Sequence, residues 1–403
     1  MTMRRAMNML LAILLMAILA FVCYFTVKIY YEDLGYSLLV TYRQKLPNNP
    51  SPLDNLKARV DMFTSTWDTD MVTKPTLRKL NARFQRAIGK DMITFGSTMT
   101  VTTNTGDLYD LKPDTPQTQQ VRTQTLSGLK AIKDALDIPV LYGYAHTTLY
   151  DGVTMPDGVT DDNDAVADEI VGTLRSYGIE VIDSRDIMRE SGLPIDEIIY
   201  RTDAHWSARS AFEMYAQMVD LLNEKTAIKA DRSAADIGRF NIETLPAVHM
   251  GDIGARFGPE LVRPDDFQLI TPSYDTNIHR EITVNKQLVP LDGRFEDVVL
   301  EPKLLPAAKG LTYGNYYNYY GTHPDAVYYH NEAAPEGRLL VVKDSFGTPT
   351  SSFLALSVRD VCAVDLRKTT KTVLDFVDEF KPDAVMFVQC QEVMRGQNFV
   401  MVN

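Results

Sequence analysis

Two short segments of this 403-residue chain carry the residue types that activate a hydroxyl. Thr202-Asp203-Ala204-His205-Trp206 offers a carboxylate and an imidazole close together. Arg338-Leu-Leu-Val-Val-Lys-Asp-Ser-Phe-Gly347 sets Ser345 just beyond an apolar run. Leu339 to Val342 has the length and character of a buried parallel strand, and Asp344-Ser-Phe-Gly347 breaks it. Thr350 to Leu356 then starts a helix. A serine between a strand's C-terminal edge and a helix N-terminus can turn both its hydroxyl and its N–H into a crevice. If His205 Nε2 reaches Ser345 Oγ while a carboxylate holds the other ring nitrogen, the hydroxyl becomes a nucleophile. In an extended segment positions 203 and 205 point the same way, so Asp203 can hold His205 or lie beside it. Asp203 can also cap the following helix together with Ser207, Asp344-Ser345 can be a plain capping turn, and His205 can be a packed residue beside Trp206.

These residues need a scaffold, and the pattern around them alternates. Asp91 to Phe95 reads as a first strand and Thr118 to Leu136 as an amphipathic helix. Ile138 to Tyr144 and Ile179 to Asp183 read as strands, with helices at Asp164 to Tyr177 and Ser207 to Asn223. After Ser345 come strand Val361 to Val364, helix Thr370 to Phe380 and strand Ala384 to Gln389. This predicts an α/β fold, a parallel sheet with helices on both faces. Residues from about 225 to 336 break the pattern and read as a long irregular insertion beside the sheet, with short strands near Phe267 to Ile270 and Leu288 to Leu291.

The apolar stretch Met9 to Val27, preceded by Arg4 and Arg5, has the length of a membrane-spanning helix. Its basic flank predicts a cytoplasmic N-terminus with everything after Lys28 outside, a single-pass cell-membrane protein. A cleaved signal peptide is the competing reading, but the run is long for one and lacks a small-x-small cleavage site. Lys28 to about Leu46 continues as a stalk, Pro47-Asn-Asn-Pro-Ser-Pro52 is a linker, and Leu53 to Ile88 reads as helical, with Leu77, Leu80, Phe84 and Ile88 at helical spacing. A net charge of −12 argues against nucleic acid as a partner. Of the three cysteines, Cys362 and Cys390 fall in apolar strand-like runs; a disulfide is open to them, and burial as small hydrophobes is the simpler account. No metal-ligand cysteine spacing occurs.

Tyr200-Arg-Thr-Asp-Ala-His-Trp-Ser207 followed by Val342-Lys-Asp-Ser-Phe-Gly347 resembles the paired signatures of the DHHW family of exported proteins. The pair is similar also to the alginate O-acetyltransferases, whose fold is of the SGNH-hydrolase type. Ala363-Val-Asp-Leu-Arg367, Pro382-Asp-Ala-Val-Met-Phe-Val-Gln389 and His249-Met-Gly-Asp-Ile-Gly254 add to the likeness, which runs from about Asn81 to the C-terminus. The resemblance implies a three-layer SGNH-like domain over 81–403 behind a 1–28 stub and anchor and a 29–80 stalk and lead-in. It makes Ser345 the nucleophile, His205 the general base and Asp203 the orienting carboxylate, with an acyl-serine intermediate and no cofactor. Two positions depart from the family pattern: Ala204 replaces the first histidine of D-H-H-W, and Lys343 replaces the glycine before Asp344-Ser345. The implied acceptor is a cell-surface or secreted polysaccharide, and a multispanning membrane-bound O-acyltransferase would supply the acyl group.

Other residues are candidates for substrate or oxyanion contact. Arg201 can steer an anionic sugar, although ion pairing is the commoner use of such an arginine. Asp344 adjoins the nucleophile. Tyr320 belongs to the tyrosine-dense Tyr313 to Gly321 segment, whose flat rings suit sugars as well as cores. Gly321-Thr322-His323 can line the pocket, His146 follows a strand end where sheet crevices collect ligands, and Asp252 is a further candidate. A non-catalytic carbohydrate-binding or assembly protein retaining the fold is the alternative function. A metal-dependent hydrolase on Asp203 and His205 ranks last, because one D-x-H pair supplies too few ligands.

Overall fold

The structure is a computed structural model and describes residues 16–17, 20–21, 24, 74–95, 98–146, 153–284, 287–301, 312–313, 320–321 and 326–396. The expected anchor (five residues apart), the stalk, the linker and the lead-in up to residue 73 lie outside them, as do 314–319 and 322–323. Among the described residues no helix is long and apolar enough to cross a membrane. The chain divides into two compact units, Met1–Ile88 and Gly89–Asn403. In the first, α1 (Lys74–Ala87) carries Leu77, Leu80 and Phe84 of the expected stripe, Ile88 follows just past its end, and all four side chains are exposed.

The second unit opens with β1 (Met92–Phe95), β2 (Thr98–Thr102) and β3 (Leu108–Leu111), an antiparallel meander. The strand expected at Asp91 to Phe95 therefore exists, but it belongs to this small sheet and does not begin the main one. Next come α2 (Pro116–Ala135), β4 (Val140–Ala145), α3 (Asn163–Ser176), β5 (Glu180–Asp183), α4 (Ser184–Ser191) and α5 (Ala208–Lys225). The stretch read as an irregular insertion supplies β6 (Phe240–Met250), β7 (Asp265–Pro272), β8 (Ile278–Val284), β9 (Gln287–Gly293), β10 (Thr312–Tyr313) and β11 (Ala326–His330). The chain then returns as β12 (Arg338–Lys343), α6 (Gly347–Ser357), β13 (Asp360–Val364), α7 (Val373–Phe380) and β14 (Ala384–Cys390).

The main sheet has eight strands in the order β5-β4-β14-β12-β13-β11-β8-β9. The first five are mutually parallel, and β11, β8 and β9 extend it antiparallel. The insertion is thus not simply beside the sheet: half of it widens the sheet, while β6, β7 and β10 form a separate three-stranded one. Alternation hid this, because β8 and β9 are hairpin-paired and need no helix between them.

Period-two side-chain direction explains the layers. Leu339, Val341, Met386 and Val388 pack with Phe212, Tyr215 and Met218 of α5 and Phe353 of α6 on one face. Leu340, Val342, Val385 and Phe387 pack with Leu129 of α2, Ile170 of α3 and Phe376 of α7 on the other. Strands buried on both sides must be apolar throughout, and β14 is buried at all seven positions. Cys362 and Cys390 are free and buried, one in each cluster, so the sheet separates them. β12 leads to β13 on one side and β4 leads to β5 on the other; such a reversal leaves a crevice at the strands' carboxyl ends. Ser345 follows β12 at that place.

Candidate active site

The turn after β12 is built around Asp344. Its Oδ1 accepts from the Phe346 N–H (2.8 Å) and its Oδ2 from the Cys390 N–H (2.8 Å), locking the turn to the end of β14. Gly347 is required next: a Cβ there would stand 2.7 Å from the Lys343 Cβ and 2.9 Å from the Val388 carbonyl oxygen. Helix α6 can thus begin hard against the sheet, with Ser345 half-buried at its N-terminus. Among the described residues the Ser345 N–H donates to no protein acceptor.

The Asp203-His205 segment is a loop pinched at its base. Ile199 and Trp206 form an antiparallel bridge, and the Ser207 N–H donates to the Ile198 carbonyl (2.9 Å). Ser207 alone caps α5, its Oγ accepting from the Ser210 N–H (3.0 Å), which leaves Asp203 for other work. Asp203 Oδ1 accepts from the His205 N–H (3.1 Å) and meets His205 Nδ1 at 2.6 Å. This is an Asx-turn, so the imidazole is folded back by local hydrogen bonding and not by strand periodicity. His205 Nε2 meets Ser345 Oγ at 2.7 Å across 140 residues of sequence. Trp206 fixes that junction: its Nε1–H donates to the Phe346 carbonyl (3.2 Å) and its ring meets the Phe346 ring edge-on at 5.6 Å.

Protonation follows from the geometry. Burial pushes the Asp203 carboxyl up, but His205 and His249 outweigh it and hold the group well below the ordinary carboxylate range. An ionised Asp203 only accepts, so a neutral His205 carries its proton on Nδ1 and offers the Nε2 lone pair to the Ser345 hydroxyl. The carboxylate is 1% exposed, whereas the His205 side chain is 12% exposed, so the reactive end of the relay reaches solvent. An acyl carbonyl presented there could be attacked by Ser345, with its oxyanion near the Ser345 N–H and the α6 N-terminus.

Lys343 lies beneath α6, its Nζ donating to Thr348 Oγ1 (3.0 Å). Burial pushes its ammonium down to about 8. The other sequence candidates are dispersed. Arg201 points Nε toward Asp107 (3.8 Å), and its N–H donates to Asp265 (2.7 Å). Asp344 is spent on the turn. Tyr320 is fully buried, donating to the Gln268 carbonyl and accepting from the Ile270 N–H (both 2.9 Å), so it is core and not a sugar platform. Gly321 is buried at φ 129°, where a Cβ would meet Ser352 Oγ at 3.2 Å. His146, at the end of β4, faces Asp164 of α3 (3.3 Å). Asp252 is exposed in the turn after Gly251.

Four contributors were not assigned from sequence. His249 Nε2 lies 3.3 Å from Asp203 Oδ2. Asp265 accepts from the Arg201 and Thr202 N–H groups and from the Thr202 hydroxyl. The Gly251 and Gly254 N–H groups donate to Thr202 Oγ1 (2.9 Å) and the Thr202 carbonyl (2.8 Å). The signal was the glycine spacing of His249-Met-Gly-Asp-Ile-Gly254; nothing in it says which loop those glycines lie against.

No protein-family model and no curated protein sequence matches the chain. Solved structures do. A DHHW family protein from Eubacterium siraeum DSM 15702 aligns over 77% of this chain and 95% of its own at 15% identity, TM-score 0.55. Bacillus cereus PatB1 with a sulfonyl adduct aligns over 75% and 98% at 16% identity, TM-score 0.55. A second PatB1 structure aligns over 76% and 97% at 14% identity, TM-score 0.55. The chain shares their fold, in line with the resemblance of its two motifs to the DHHW signatures.

Proposed function

We propose that the chain is a serine O-acyltransferase or esterase of SGNH-hydrolase type, with acetyl as its acyl group and a cell-surface or secreted polysaccharide as its substrate. One observation carries the reading: His205 bridges Ser345 (2.7 Å) and the buried Asp203 (2.6 Å) through its two ring nitrogens. His205 takes the hydroxyl proton as Ser345 attacks the acyl carbonyl, and returns it to the leaving group as the acyl-serine forms. A second hydroxyl, deprotonated by the same imidazole, then displaces Ser345; a sugar hydroxyl gives transfer and water gives hydrolysis. The catalytic domain covers 81–403. Arg4, Arg5 and the Met9 to Val27 run support a single-pass anchor with this domain outside the cell membrane, where a multispanning acyltransferase would pass acyl groups to Ser345.

The test supplies a chromogenic acetyl ester and neutral oligosaccharides to the purified chain and reads acetylated glycan by mass. Acetyl on the glycan with wild type and none with Ser345→Ala supports transfer. Release without glycan acetylation narrows the function to esterase. Equal activity of wild type and Ser345→Ala sinks the serine mechanism.

A further inference from the structure

We infer that His249 is a positioning residue of this site, holding the second oxygen of Asp203 so that the first stays aimed at His205. The inference rests on the serine reading above, and it concerns a histidine that a serine-histidine-aspartate relay does not require. Asp203 has two oxygens and is 1% exposed. Oδ1 serves His205 twice; among the described residues, the hydrogen-bond partner of Oδ2 is His249 Nε2 at 3.3 Å. A buried carboxylate oxygen left without a donor is costly, and a carboxylate anchored at one oxygen only can swivel about its Cβ–Cγ bond.

The placement of His249 is itself built. It stands near the end of β6, where the register with β7 shifts between Leu245 and His249, and it pairs with Asp265. From there its ring meets the Asp203 loop. Tyr200 (4.9 Å between centroids) and Phe267 (6.3 Å) flank it, leaving the side chain 2% exposed. The ionisable groups facing it are Asp203 and Tyr200 from the loop and Asp265 from β7. Because ionised Asp203 only accepts, His249 must present Nε2–H, which a neutral imidazole does.

The required feature is therefore one N–H donor at the Nε2 position. The Gln side-chain amide reaches as far as Nε2, whereas that of Asn stops near Nδ1. The experiment follows ester turnover and the rate of Ser345 labelling by a sulfonyl fluoride in the full chain, for wild type, His249→Gln and His249→Asn. Expected are kcat and labelling within about threefold of wild type for Gln, and a fall of about 10- to 100-fold for Asn with KM nearly unchanged. Asn at the wild-type rate, or Gln falling as far as Asn, overturns the inference. Absence of Ser345 labelling in wild type itself overturns the underlying serine reading instead, so the two failures are told apart.

Discussion

A Cβ on Gly251 would lie 2.6 Å from the Asp203 Cα, so the turn after β6 runs directly against the backbone of the candidate orienting carboxylate. Backbone contact at that distance leaves no room for even one methyl group. Gly251→Ala is expected to push the Asp203 loop away from Ser345, costing about 1–3 kcal/mol of stability and at least tenfold in ester turnover. Gly172→Ala is the control: it sits in α3 with nothing near its pro-Cβ position, and should leave turnover unchanged while the helix gains about 0.5–1 kcal/mol. Thermal melts and turnover on both variants decide the point.

Asp203→Asn keeps the shape but offers an amide that cannot stabilise a charged imidazole or enforce the Nδ1–H tautomer. A fall in kcat of about 10³- to 10⁴-fold is expected, together with a lower thermal midpoint at pH 7, because His205 and His249 stabilise the buried carboxylate that Asn lacks. A fall below tenfold would remove Asp203 from the relay.

Lys343 tests how the chain tolerates a cation where the family pattern has glycine. Its pKa is pushed by burial from the ordinary lysine range down to about 8, so the unfolded chain holds that proton more tightly. Folding then carries a penalty that is full below pH 8 and relieved as pH rises toward the unfolded value of 10.5. Lys343→Met should accordingly stabilise the protein at pH 7, by on the order of 2–3 kcal/mol less the lost Thr348 hydrogen bond, and the gain should shrink by pH 10. Denaturant melts at the two pH values give the answer; a pH-independent difference would contradict it.

The strands around the site were legible because they are buried on both faces and apolar throughout, as Leu339 to Val342 and Ala384 to Gln389 are. The helices were legible from their stripes and the start of α5 from Ser207, whereas α6 begins at Gly347, three residues before the expected Thr350. Of the antiparallel part only Leu288 to Leu291, inside β9, was legible; β8 and β11 went unread, and pairing partners such as Tyr328 with Glu281 leave no mark on either segment alone. At the site, the residue types of Asp203, His205 and Ser345 could be read; the Asx-turn that aims His205 is local but leaves no letter of its own, and the His249 contact depends on segments 46 residues apart meeting in space. Tyr320 misled because a buried tyrosine bonded to two backbone groups has the same letter as one stacked on a sugar.

Acid should weaken the tie between Asp114 and α2. The hydrogen bond from Arg122, against a smaller opposing effect of burial, draws the Asp114 carboxyl down to about 2. A depressed carboxylate contributes stability that is present above pH 4 and lost as pH falls through the folded value. Asp114→Asn should cost about 1 kcal/mol at pH 7 and progressively less as pH falls toward 2, as read by denaturant melts of both forms across that range.

The central claim is that Ser345 accepts an acyl group from a carbonyl donor with His205 as base. Intact-mass analysis of the purified chain, quenched in acid shortly after mixing with an acetyl ester and followed by peptide mapping, measures this directly. The account predicts one acetyl group on the Ser345 peptide in wild type, absent in Ser345→Ala and accumulating at least a hundredfold more slowly in His205→Ala. An unmodified Ser345 in wild type under turnover, or acetylation at the same rate without His205, would contradict it.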